Sequence, residues 1–326
     1  MNRISRSLAN ILIASATLVT SSLIAQAADK VRVLKAVPHA FQLSIVDVGV
    51  EEGIFAKYDL ELEIAGAGGG AKLQQALAAN AADIGIGTGP ELGFIARGAP
   101  QIAIAATHGA PMNLGIVVTE DSPLFDSSKT VDDLKGMKVG IANPSSLTYF
   151  LTRTISLAQG WGPDGIVTVP LGGVPAQMAA MKTKNIDGFM NSVDIGNNLQ
   201  NRGTGRTLVA AGDYLPKFHT HLIFATNKFR EENPETVRRF LAAFYETVAL
   251  VKADKQAWIS VAEPLTNLPP AVLEMGYDRQ IGMLSDDGRF DAEALDVIAE
   301  GLLVTKILDE KPDMTKLYTE EYLPAN

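Results

Sequence analysis

Cysteine is missing from all 326 residues. That excludes disulfides, thiolate metal sites, a cysteine nucleophile and a lipidated N-terminal cysteine. Runs of lysine or arginine are missing too: 28 basic residues stand against 37 acidic ones, for a net charge of −9. An acidic chain without a basic patch has no phosphate-binding footprint, so no nucleic-acid partner is expected. Histidines number four, and the close pair His219 and His221 has no carboxylate at ligand spacing. Neither a metal nor a cofactor is therefore expected. There is no Ser-x-x-Lys pair in a suitable setting and no nucleophile elbow, so the chain does not read as an enzyme. Beyond the first 27 residues, no apolar run approaches the ~20 residues of a membrane-spanning helix.

What is present begins with an export signal. Arg3 and Arg6 make a charged start, Ile11 to Ile24 is uncharged and apolar or small, and Ala25-Gln26-Ala27 is an A-x-A cleavage pattern. Residues 1–27 are expected to be removed, taking the net charge from −9 to −11 with the loss of Arg3 and Arg6. Export is therefore expected. The remainder, in a chain that is 47% hydrophobic, suffices for two compact units.

The most informative stretch is Val139 to Ala158. Val139–Ala142 is a short β-prone run, Asn143-Pro144-Ser145-Ser146 breaks it, and Leu147, Phe150, Leu151, Ile155 and Ala158 then recur at helical spacing as one buried stripe. The two serines therefore stand where a helix N-terminus leaves backbone N–H groups unpaired. They read either as N-cap or as ligand-binding hydroxyls.

The same rhythm runs through the chain. Strand patterns at Val31–Val37, Leu60–Ile64, Ile84–Ile86, Ile102–Ala106 and Leu114–Val118 alternate with helical ones at Phe41–Glu52, Lys72–Ala82 and Glu91–Arg97. Composition shifts to Asp, Ser, Pro and Lys between Thr119 and Thr130, and the αβ alternation then resumes up to Leu222–Ala225. From Asn233 onward the pattern is helical. Such alternation predicts an α/β fold with mainly parallel sheets covered on both faces.

The ordered pieces Val48-Gly49-Val50-Glu51-Glu52-Gly53-Ile54-Phe55, Tyr58-Asp59-Leu60-Glu61-Leu62, Ala82-Asp83-Ile84-Gly85-Ile86-Gly87, Asp133-Leu134-Lys135-Gly136-Met137-Lys138-Val139-Gly140 and Asn185-Ile186-Asp187-Gly188 carry a resemblance. Together they resemble the periplasmic substrate-binding proteins of ABC importers, in the branch serving sulfonates, nitrate, taurine and the thiamine pyrimidine precursor. The resemblance implies a type II periplasmic binding fold, with two α/β lobes joined by crossover strands around a ligand cleft. It places lobe one at residues 28–118 plus 226–326 and lobe two at 119–225. It also implies a monomer that captures a small polar organic solute, sulfonate, carboxylate or pyrimidine-like, and delivers it to an inner-membrane ABC permease. Two alternatives stay open: a pyrimidine-precursor biosynthetic enzyme on the same fold, and a sensory domain that works without a permease.

On that arrangement the residues directly after each strand face the cleft. Lobe one offers Pro38, His39, Phe41, Gly69, Thr88, Gly89 and His108. Lobe two offers Ser145, Ser146, Thr148, Gly173, Asn191 and Asp194. The run Gly68–Gly70 reads as a backbone cradle or a plain turn, and Phe41 is placed to stack on a flat ligand. Glu91 is expected in the first turn of a helix, partly exposed. Arg97 and Arg153 are expected on the surface, which leaves no cation clearly at the mouth.

Overall fold

Residues 28–38, 40–110, 112–144 and 146–325 of the computed structural model are described here. The proposed leader, His39 and Ser145 lie outside them. Among the described residues, ten strands form two five-stranded sheets. The first contains β1 (Asp29–Lys35), β2 (Leu60–Gly66), β3 (Ile84–Thr88), β4 (Gln101–His108) and β10 (His221–Thr226); the second contains β5 (Leu114–Thr119), β6 (Lys138–Ile141), β7 (Val167–Pro170), β8 (Gly188–Ser192) and β9 (Gly205–Ala210). Their orders are β2-β1-β3-β10-β4 and β7-β6-β8-β5-β9. β1 runs parallel to β2 and β3, and β6 runs parallel to β7 and β8, whereas β10 and β5 run antiparallel to both their neighbours. Four strands of each sheet thus share a direction, and the reversed one is the strand on which the chain arrives from the other lobe. The α/β two-lobe reading holds.

The pairing corrects the lobe boundaries. Leu114–Thr119 lies in the second sheet and His221–Thr226 in the first, so the chain crosses at residues 109–113 and 211–220 rather than at 118 and 225. An apolar run signals a strand, but its period does not say which sheet will accept it. The two crossings lie side by side, with Gly212 against the Met112 backbone.

Burial follows the sheet positions. Ile84 to Gly87 of β3 and Leu222 to Thr226 of β10 are buried without interruption, as interior strands covered on both faces must be. Edge strand β2 keeps Glu61 and Glu63 toward solvent. In the helix Leu147–Ala158 the apolar stripe is buried as expected through Ile155, but Ala158 is exposed at the helix end. Thr152, Arg153 and Ser156 are buried as well, because this helix has more than one partner. It packs on the Gly89–Glu91 turn of lobe one and on the helix Ala292–Val304. There Phe150 lies where a Cβ on Gly301 would have to be. Here the lobes are joined by packing, while a cavity lined by other residues lies between them.

Candidate functional site

The cavity encloses about 420 Å³ between the lobes, within the range of small-molecule sites. Lobe one contributes Phe41 and Ser44 from the turn that follows β1, Trp258 from the helix Lys255–Thr266, and one face of the helix Pro270–Gln280. Lobe two contributes Val174 and Met178 from the helix Val174–Lys182, and Asp194, Ile195, Asn198 and Leu199 from the helix Val193–Asn201.

Local chemistry fixes the wall on the first side. The Ser44 hydroxyl donates to the Phe41 carbonyl at 2.9 Å and accepts from the Trp258 indole N–H at 2.8 Å. Phe41 and Trp258 meet edge-on with centroids 4.8 Å apart, and Tyr277 and His108 contact the Phe41 ring at 6.1 and 6.3 Å. Edge-to-face contacts of this kind hold aromatic rings in one orientation. Asn267 adopts the left-handed conformation, with φ 55°, and ends the Trp258 helix. Pro269 and Pro270 then start the next helix in a new direction.

One ion pair spans the cavity. Arg279 of lobe one donates to Asp194 Oδ1 of lobe two at 2.5 Å, with the side chains 34% and 22% exposed. The other Asp194 oxygen accepts from Asn113 Nδ2 at 2.9 Å and from the Ser192 hydroxyl at 3.1 Å. Asp194 also sits in the first turn of its helix, where the backbone dipole favours an anion. These are the two charged side chains among the described lining residues.

Comparison with known proteins gives the family. The NMT1/THI5 like family model matches residues 41–257. The chain belongs to this family. No curated protein sequence matches it. Among solved structures it is similar to the alkanesulfonate-binding protein SsuA from Xanthomonas axonopodis pv. citri bound to MOPS, at TM-score 0.74 and 17% identity over 89% of this chain and 98% of that one. It is similar also to the periplasmic aliphatic sulphonate binding protein SsuA from Escherichia coli, at TM-score 0.70 and 20% identity over 89% and 92%. An enzyme shares the fold: a mutant of DSZB in complex with biphenyl-2-sulfinic acid, at TM-score 0.64 and 15% identity over 90% and 97%. At these identities the likeness concerns the fold.

In this NMT1/THI5-like protein, Phe41 and Asp194 line the cavity. The other described candidates sit elsewhere and are largely engaged. Ser146 is an N-cap: its hydroxyl donates to the Asn143 carbonyl at 2.6 Å, accepts from Tyr149 N–H at 3.2 Å and meets the Thr148 hydroxyl at 2.8 Å. Thr148 in turn accepts from the Ala142 N–H. Thr88 forms a reciprocal cap with Glu91, donating from both N–H and hydroxyl at 2.9 Å. Gly89 meets the His219 backbone too closely for any side chain. Gly69, with φ 129°, brings lobe one against Asn143 Nδ2 of lobe two. Asn191 is held by Gln177. Pro38 is exposed, and Gly173 is the exposed N-cap just before Val174.

His108 is fully buried behind Phe41, its Nδ1 3.0 Å from the Thr107 hydroxyl and its ring 5.4 Å from His221. Burial holds both imidazoles in the neutral form, His221 with a pKa lowered to about 3. Glu91 departs from expectation in being 1% exposed. Burial raises its carboxyl pKa, opposed by the hydrogen bonds from Gln74 and Thr88. Arg153 is not on the surface either; it is buried against Tyr149 and Asp164, each at 2.7 Å. Arg97 is exposed, as expected, and donates to the Ile307 carbonyl.

The residues missed by strand-end reasoning are Trp258, Arg279 and the apolar face of Pro270–Gln280. One signal was available. After Leu268-Pro269-Pro270, the run Val272, Leu273, Met275, Gly276 is apolar on two adjoining faces. That is more than one core contact requires.

Proposed function

We propose that this chain is an extracytoplasmic solute-binding protein. It captures a small organic solute in the cavity between its lobes by hinge closure and delivers it to an ABC permease. The observation that carries this reading is a cavity of ligand size whose walls come from both lobes, with one ion pair across it. Bringing two such walls onto one solute excludes water and couples occupancy to the relative position of the lobes. The crossings at residues 109–113 and 211–220 are the hinge in this reading, and the closed shape is what a permease would recognise. The family and the sulfonate-binding neighbours support it, and the leader-like residues 1–27 agree with export.

Catalysis on the same fold is the competing reading, since a desulfurization enzyme is similar. The cavity wall favours capture. Its Ser44 hydroxyl is committed to Phe41 and Trp258, and the histidine–hydroxyl contacts, His108 with Thr107 and His221 with Thr220, are off the wall among the described residues. Native mass spectrometry of gently purified mature protein, followed by small-angle scattering with and without the retained solute, tests the proposal. A retained solute that shrinks the radius of gyration supports it. Turnover of that solute by the protein alone, or no solute and no response to a solute panel, would overturn it.

A further inference from the structure

We propose that the cleft takes an uncharged solute with an apolar body, bearing one hydrogen-bonding group read by Asn198. This rests on the solute-binding reading above and sets its ligand class. The walls argue for the body. Phe41 and Trp258 face Met178, Ile195 and Leu199 across the cavity, so closure presents hydrocarbon from both lobes. A solute polar all round would lose its water there without gaining partners.

The charges argue for neutrality. Asp194 and Arg279 are the charged side chains among the described lining residues, and they neutralise each other. An anion would have to take Arg279 away from Asp194 and leave that carboxylate facing the ligand; a cation would meet the converse problem. The polar inventory narrows the head group. Ser44 is used by Phe41 and Trp258, Thr266 donates to the Ala262 carbonyl, and Gln280 accepts from Gln42 and donates to the Gly276 carbonyl. The Asn198 amide makes no hydrogen bond among the described residues, and an amide both donates and accepts. A hydroxyl or a carbonyl suits it.

The entrance agrees. Leu268, Val272 and Met275 are 44%, 37% and 43% exposed on one short segment beside the cavity. Apolar side chains gathered on a surface mark a place that something covers, and closure of Pro270–Gln280 over an apolar solute would cover them.

Titration calorimetry of the mature protein with 2-naphthalenemethanol and 2-naphthalenesulfonate, which share their rings and differ in head charge, tests the inference. The alcohol should bind with a Kd at least tenfold lower than the sulfonate. Leu199→Glu should weaken the alcohol at least tenfold. Asn198→Leu should weaken it about two- to tenfold while leaving 2-methylnaphthalene unchanged. Tighter binding of the sulfonate, or a charged solute retained from purification, overturns the ligand class and leaves solute capture standing. No binding of either probe together with no retained solute overturns both.

Discussion

The Arg279–Asp194 pair should bias the lobes toward each other, and its contribution can be bounded from its surroundings. Both side chains are partly exposed, at 34% and 22%, so screening keeps the pair near the surface range of at most about 1 kcal/mol. Asn113 and Ser192 already hold the Asp194 carboxylate in place, which lowers the ordering cost and puts the expectation at the top of that range. About 1 kcal/mol is about a fivefold change in the ratio of closed to open molecules. Asp194→Asn alone would overstate the pair, because Asn113 Nδ2 would then face a second amide. The pairwise part needs the cycle of Asp194→Asn, Arg279→Gln and the double variant. Absence of cysteine makes the assay direct: Ala179→Cys and Glu263→Cys, both at exposed positions, label one helix of each lobe for single-molecule energy transfer. The coupling should be about 1 kcal/mol at low salt and fall toward zero in 1 M salt, where the Debye length is about 3 Å. A coupling below about 0.2 kcal/mol, or one that salt does not change, would refute the reasoning.

Ser146→Ala should lower stability by about 1 kcal/mol in urea unfolding, as loss of an N-cap does, and change solute affinity by less than about twofold. A larger loss of affinity than of stability would make the hydroxyl a ligand contact. Glu91 has a folded pKa above its ordinary 4.5, so its contribution is full below that value and is lost as pH rises through the folded one. Glu91→Gln should therefore flatten the fall in unfolding free energy between pH 4 and 7; identical slopes in both proteins would contradict this. His221 has the opposite sign, with a folded pKa lowered from 6.5 to about 3. Unfolding takes up a proton in that window, and stability should fall below pH 6.5 by up to about 1.4 kcal/mol per pH unit for this one residue. His221→Gln should remove that part of the slope, measured by urea unfolding from pH 7 to 5, and an unchanged slope would refute it.

Strand ends and helix starts were legible in the sequence because each is written locally, in a short apolar run followed by Gly, Pro, Asn or Ser. The lobe in which a strand would pair was not, since β5 and β10 present the same apolar face to either sheet. The same limit explains the site. A hydroxyl at a helix start is close both to the cleft and to unpaired backbone N–H groups, and in Ser146 and Thr148 the backbone, three to six residues away, takes it. The wall that remains comes from residues joined only by the tertiary fold: Ser44 to Trp258, 214 positions apart, and Arg279 to Asp194, 85 apart. The sequence reading left no cation clearly at the mouth, because nothing local to Arg279 marks it as a wall residue. A cation is there, and its charge is already answered by the opposite lobe. On the proposed ligand class, how firmly Asp194 holds Arg279 bears at once on closure and on what the cleft accepts.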